Sequence, residues 1–218
     1  MENRKIEVAE DILAENDRIA AQTKSLLSGK SVFAVNVMGS PGAGKTTVIS
    51  SLAKELRVGK VYVIEADIES DLDTLTLTRL GIETRQINTH GACHLDAPVL
   101  QSAVAELSFP ERGLLFIENV GNLVCPAEFE IGEHLKMLVC SAAEGSDKPY
   151  KYPLAFEKAG LIILNKCDLK PYVDFDDDFF YRGVRALNKS APVFEMTAKT
   201  GVGAAEAARW LEEKCGRL

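Results

Sequence analysis

The run Gly39-Ser-Pro-Gly-Ala-Gly-Lys-Thr-Thr47 constrains the fold of this chain more than any other stretch. It fits G-x-x-x-x-G-K-[ST]. It follows an apolar, strand-like run, Val32–Met38, and opens a stretch to Leu56 with apolar residues at helical spacing. A glycine-rich turn between a buried strand and a helix points successive backbone N–H groups inward, and the positive helix end adds to them. The motif therefore predicts a cradle for the phosphates of a nucleoside triphosphate. In it Gly39, Gly42, Ala43 and Gly44 supply backbone, Lys45 reaches the outer phosphates, Thr46 offers a hydroxyl to Mg²⁺, and Thr47 follows in the first helical turn. The bland alternative is a glycine-rich βα turn with no ligand; the strand–turn–helix setting weighs against it.

Strand-like runs recur at Lys60–Glu65, Thr84–Asn88, Leu114–Glu118, Leu135–Ser141, Leu161–Leu164 and Val193–Met196. Helical patterns lie between most of them, including Ala97–Leu107 and Ala204–Cys215. This alternation predicts an α/β fold of the P-loop NTPase kind: a mostly parallel sheet of about seven strands flanked by helices on both faces. Residues 1–218 read as one domain with an N-terminal helical extension over 1–29. Its apolar residues Val8, Ile12, Ile19, Ala20, Leu26 and Leu27 are expected to pack on that same domain. The run Asp174-Phe-Asp-Asp-Asp-Phe-Phe180 reads as a solvated helix start rather than a metal site, since carboxylates favour that position.

Among 218 residues, 25 basic against 32 acidic give a net charge of −7, which argues against a broad nucleic-acid surface. No apolar run approaches the length of a membrane span, and Met-Glu-Asn-Arg-Lys-Ile-Glu lacks the apolar core of a signal peptide. Five cysteines, an odd count, fit a reducing interior better than a disulfide framework. The expectation is a cytoplasmic protein with neither nucleic acid nor membrane as partner.

Asn165-Lys-Cys-Asp168 closes the strand Leu161–Leu164, at the carboxyl edge where such sheets bind ligands. It fits N-K-x-D. The Asp168 carboxylate can accept from both N1–H and the exocyclic amino group of guanine, whereas adenine would leave it unpaired. Lys166 is expected to cover the base face and Asn165 to tie neighbouring loops. Thr197-Ala-Lys-Thr-Gly201, with Ala198 and Lys199, reads either as the backbone loop that meets the guanine carbonyl or as an ordinary turn. Asp67, just past Lys60–Glu65, is placed to hold Mg²⁺ or orient the attacking water. Glu118-Asn-Val-Gly121 stands where many GTPases carry D-x-x-G: Glu118 for the metal's water shell, Gly121 for the γ-phosphate.

Cys93-His94 and Cys125 fall in loops after neighbouring strands of one sheet edge. Two thiolates and an imidazole suit Zn²⁺ or Ni²⁺, and a second copy of the chain or water would complete the sphere. With no C-x-x-C, the spacing also admits unrelated loop cysteines.

Glu118-Asn-Val-Gly-Asn-Leu-Val-Cys-Pro126, Gly91-Ala-Cys-His-Leu-Asp-Ala97, Glu15-Asn-Asp17, Glu65-Ala-Asp67, Lys148-Pro-Tyr-Lys-Tyr-Pro153 and Asn165–Asp176, with the P-loop, resemble the HypB family. These are GTPases of [NiFe]-hydrogenase maturation, and the likeness runs over nearly the whole chain. The resemblance implies a GTPase that dimerises around nucleotide. It also implies nickel or zinc on Cys93, His94 and Cys125, with metal passing to or from a HypA-type partner on the way to a hydrogenase large-subunit precursor. The histidine-rich stretch and N-terminal cysteine motif of many members are absent here, and Pro98 stands where relatives often have a further histidine. Three other readings are weighed. A urease-type nickel GTPase would carry Cys-Pro-His, which this chain lacks. A small P-loop kinase would need no guanine selectivity. A metal-binding module with a vestigial nucleotide site would not keep Lys45, Thr46, Asp67 and Asp168.

Overall fold

The computed structural model describes residues 2–66, 77–78, 80–89, 91–109 and 111–216, residues 2–12 as backbone alone. Seven strands, β1 (Val32–Gly39), β2 (Lys60–Ala66), β3 (Glu83–Ile87), β4 (Gly113–Glu118), β5 (Leu135–Ser141), β6 (Leu161–Asn165) and β7 (Val193–Glu195), form one sheet in the order β3-β2-β4-β1-β5-β6-β7. Every pairing is parallel. Around it lie α1 (Glu2–Gly29), α2 (Lys45–Glu55), α3 (Ala97–Glu106), α4 (Cys125–Glu128), α5 (Lys148–Lys151), α6 (Pro153–Lys158), α7 (Asp177–Leu187) and α8 (Ala204–Cys215).

A parallel sheet covered on both faces favours near-continuous apolar runs in its central strands. Accordingly all of β1 and β6 is buried. In β1, Phe33, Val35 and Val37 face the layer of α2 and α8, where Val48, Ile49, Leu52 and Leu211 meet them. Val32 and Ala34 face the other layer with Leu27 of α1 and Leu100 of α3. Met38 joins a third apolar cluster around Phe156 and Phe180, under α6 and α7. Each fully buried side chain of this size contributes about 1.5–3 kcal/mol. That burial fixes β1 at the centre of the sheet, so the turn after it points from the carboxyl edge.

The expected strands all appear, with ends shifted by a residue or so: β1 runs on to Gly39 and β3 begins at Glu83. The helix after the glycine turn starts two residues earlier than its apolar spacing suggests, at Lys45. The aspartate run is the start of α7: the Asp176 side chain accepts from the Phe179 N–H at 2.8 Å. Helix α1 packs against β1 and α3, and its buried face differs from the apolar list. Among residues 13–29, Asn16, Ala20, Thr23 and Leu27 are buried, and Leu26 is exposed. Two polar residues take inner positions: Asn16 holds the Glu130 carbonyl, and Thr23 packs its side chain where a Cβ on Gly132 would clash with it at 2.8 Å. Among the described residues, no helix is long and apolar enough to cross a membrane.

Candidate nucleotide and metal site

The turn after β1 winds through Gly42 and Gly44, both at positive φ (77° and 93°), into α2. Gly44 is fixed twice over: its φ lies in the left-handed region, and a Cβ there would stand 2.6 Å from the Asn165 amide nitrogen. Ala43 is buried beneath, and Thr47 lies in the first turn of α2. Lys45 is buried with its Nζ 4.0 Å from the Glu118 carboxylate. The Thr46 hydroxyl donates to the same Glu118 oxygen at 2.9 Å. Parallel pairing of β1 with β4 therefore puts the ends of both strands, and all three side chains, at one point. Asp67 lies outside the described residues.

The base-side residues sit beside this point. The Asn165 amide donates to the Ala43 carbonyl at 3.0 Å and accepts from the Ala198 N–H at 3.1 Å, so one side chain joins three loops. Lys166, held at φ 57°, reaches back to the Gly42 carbonyl at 2.7 Å, its stem lying along the opening. Asp168 is oriented by its own N–H donating to the Thr197 hydroxyl, and Cys167 N–H donates to the Met196 carbonyl. Asn165, Lys166, Asp168, Thr197 and Ala198, with Gly44, Thr47, Leu169 and Lys199, line a cavity of about 330 Å³. In the Thr197–Gly201 loop, which the sequence offers either for the base carbonyl or as an ordinary turn, the Ala198 N–H is given to Asn165, and Lys199 lies further along the same rim.

Beyond Glu118, the chain doubles back over the glycine turn. A Cβ on Gly121 would stand 2.9 Å from the Pro41 ring and 3.1 Å from its backbone, so only glycine permits this crossing. The next residue, Asn122, makes an isolated bridge with Gly39. Its side chain donates to the Cys93 carbonyl at 3.1 Å and accepts from the Val124 N–H at 2.9 Å. Cys125, at the start of α4, thereby comes against the loop between β3 and α3.

There the three sequence-predicted ligands converge. Cys93 and Cys125 sulfurs are 3.1 Å apart, the His94 Nδ1 is 3.4 Å from the Cys93 sulfur, and all ligand atoms lie within 4.8 Å of one another. Cys93 is exposed and the other two half-buried, leaving an open side. The His94 ring stacks on Phe129, centroids 4.2 Å apart, which sets its orientation. The hydrogen bond with Cys93, with some desolvation, raises the Cys125 thiol above its ordinary pKa. Close-set sulfurs that hold protons in this way give them up to a thiophilic ion. The other cysteines are of a different kind: burial pushes Cys140 far up, Cys167 to about 11 and Cys215 to about 12.

Asn122 and Phe129 touch the cluster, and motif reading passed over both. Asn122 stands inside the quoted Asn-Leu-Val-Cys string, so its position was available; Phe129 carries no local signal.

A family model described as CobW/HypB/UreG, nucleotide-binding domain, matches residues 33–195. The hydrogenase maturation factor HypB of Azotobacter vinelandii is 42% identical over 216 residues, covering 99% of this chain and 71% of the relative. That of Escherichia coli K12 is 38% identical, covering 98% and 74%. The crystal structure of HypB from Helicobacter pylori in complex with nickel superposes with a TM-score of 0.88 at 33% identity, covering 93% of this chain and 96% of that one. The chain belongs to the CobW/HypB/UreG family and, within it, to the HypB maturation factors.

Proposed function

We propose that this chain is a GTP-binding and GTP-hydrolysing metallochaperone that carries nickel, or zinc, on Cys93, His94 and Cys125 and gives up nickel during [NiFe]-hydrogenase maturation. The observation that carries the reading is the segment from Glu118 to Cys125. At one end it touches Lys45 and Thr46, and at the other it brings the Cys125 sulfur against Cys93 and His94.

Guanine enters the cavity beside Asp168, whose carboxylate accepts from N1–H and the exocyclic amino group. Asn165 fixes that loop to the glycine turn, so base and phosphates are read by one rigid unit. Backbone N–H groups of the turn and the α2 terminus hold the phosphates, and Lys45 balances charge on the outer ones. The hydroxyl of Thr46 and the Glu118 carboxylate are hard oxygen donors set close together, a fitting pair for Mg²⁺ or its water shell. When bound, Mg²⁺ neutralises charge shared between the terminal phosphates. Gly121 crosses the glycine turn where its N–H can sense the γ-phosphate, and loss of that phosphate frees the segment that carries Cys125.

Three protein ligands leave a coordination position for a second copy, a HypA-type acceptor or the hydrogenase precursor, which supports a homodimer with handover of the ion at its open side. A cytoplasmic location accords with a maturation role and with the lack of a spanning helix among the described residues. Neither cysteine motif here is the Cys-Pro-His of a urease-type GTPase.

The test is nickel titration of the full chain and of Cys125→Ala, with GDP and with a non-hydrolysable GTP analogue. Loss of one ligand is expected to weaken nickel binding by about 10- to 100-fold or more, leaving guanine-nucleotide affinity intact. Equal loss of both would make Cys125 a structural residue, and nickel affinity blind to the nucleotide would remove the coupling.

A further inference from the structure

Two asparagines flank Gly121, and each holds one of the two backbone groups that flank His94. The Asn119 side-chain oxygen accepts from the Leu95 N–H at 3.0 Å. The Asn122 side-chain amide donates to the Cys93 carbonyl at 3.1 Å. The backbone on either side of His94 is thus gripped by the segment that crosses the glycine turn. The grip is anchored behind as well. Asn119 is 1% exposed, its own N–H donates to the Val37 carbonyl, and its side-chain amide donates to Asn36 of β1 at 3.1 Å. Asn122 bridges to Gly39, the first residue of the turn. A buried side-chain amide bonded at both its oxygen and its nitrogen is a stiff link, since any displacement leaves polar groups unpaired.

Resting on the nucleotide-coupled metal reading above, we propose that Asn119 and Asn122 are positioning residues that clamp the Cys93–Leu95 backbone to the γ-phosphate-sensing segment, so that nucleotide state is transmitted to His94 and Cys93 as well as to Cys125. The sulfur of Cys125 follows the segment by covalent connection. The other two ligands stand on a separate loop, after β3, and would stay behind without this clamp. With it, one movement at Gly121 either carries all three ligands together or releases Cys93 and His94 from register with Cys125. Transmission of this kind needs two arrangements of a connected element and different ligand contacts in each.

The experiment uses the full chain, Asn122→Ala and Asn119→Ala, each titrated with Co²⁺ in the presence of GDP or a non-hydrolysable GTP analogue. The thiolate-to-cobalt absorption band is followed. In the parent chain, cobalt affinity is expected to differ between the two nucleotide states by about fivefold or more. In both variants that ratio is expected to fall to about one and the two bands to become alike, while affinity for GDP is retained. A merely structural role would lower affinity equally in both states and keep the ratio. Retention of the parent ratio by either folded variant overturns the proposal and leaves the proposed function standing. A parent ratio of one overturns the coupled reading itself. Asn122 is half-exposed, so its variant folds more readily than that of buried Asn119. For Asn119, hydrogen exchange of the Leu95 amide in the parent chain gives a second measure. Protection that changes with nucleotide supports the clamp, and equal protection overturns it.

Discussion

At the scale of single residues, the proposed function makes Asp168 the residue that decides which nucleotide is accepted. Its carboxylate offers two acceptors and no donor, the complement of guanine's N1–H and amino group. In Asp168→Asn one acceptor becomes an N–H donor, which then faces the amino group. Xanthine carries a carbonyl at that place and accepts from the new donor. The variant is expected to lose GTP affinity by about 100-fold or more and to gain xanthosine triphosphate, because mispaired buried polar groups are penalised more heavily than lost contacts. Competition of each nucleotide against a fluorescent GTP analogue measures it; unchanged preference would move base recognition elsewhere. Lys166 and Asn165 bear on this only through geometry, since their side chains are spent on the Gly42 and Ala43 carbonyls.

At the scale of elements, α1 does more than cover the sheet. Asn16 accepts from the Ala97 N–H at 3.0 Å, at the start of α3, and donates to the Glu130 carbonyl at 2.8 Å, past α4. The two segments that it joins are the continuations of the two loops that carry the candidate metal ligands. Asn16→Ala leaves a buried N–H and a carbonyl without their partner, and is expected to cost about 1–3 kcal/mol of stability. It should also weaken nickel binding without touching GTP affinity; thermal unfolding and nickel titration read the two effects. A stability loss with nickel affinity intact would confine Asn16 to packing. Much of this level was legible in the chain itself. Apolar runs such as Leu135–Ser141 declare a strand buried on two faces, and the glycine turn declares its neighbours. Asn36 was not legible: inside an apolar run a lone asparagine reads as a blemish, and its partners Asn119 and Glu133 come from 83 and 97 residues away. Asn16 failed for a similar reason. Periodicity counts apolar residues, and here the inner face of α1 meets backbone that must be hydrogen-bonded. The metal ligands needed the loops' spatial meeting, which spacing left open.

At the scale of the whole molecule, one ring joins α1 to the sheet and ties stability to pH. The His134 Nδ1 accepts from the Ala34 N–H at 2.9 Å, which places the ring proton on Nε2, 2.9 Å from the Ser28 hydroxyl. The ring stacks on Phe33. Burial, then the charge of Lys24, lowers its pKa from 6.5 to about 4. A second proton would set N–H against the Ala34 N–H, so the fold holds the neutral ring. Between those two values the unfolded chain binds the proton and the folded chain does not, so stability is full above pH 6.5 and falls as pH drops toward 4. The loss is of order 1–2 kcal/mol, the full shift being discounted for the half of the ring that water screens. In His134→Asn the amide oxygen still accepts from Ala34 but nothing titrates, so this part of the slope should vanish. Denaturant unfolding at pH 7 and pH 5 in the two chains checks it. Equal slopes would show that other groups carry the acid sensitivity, and that α1 stays docked whatever the charge on His134.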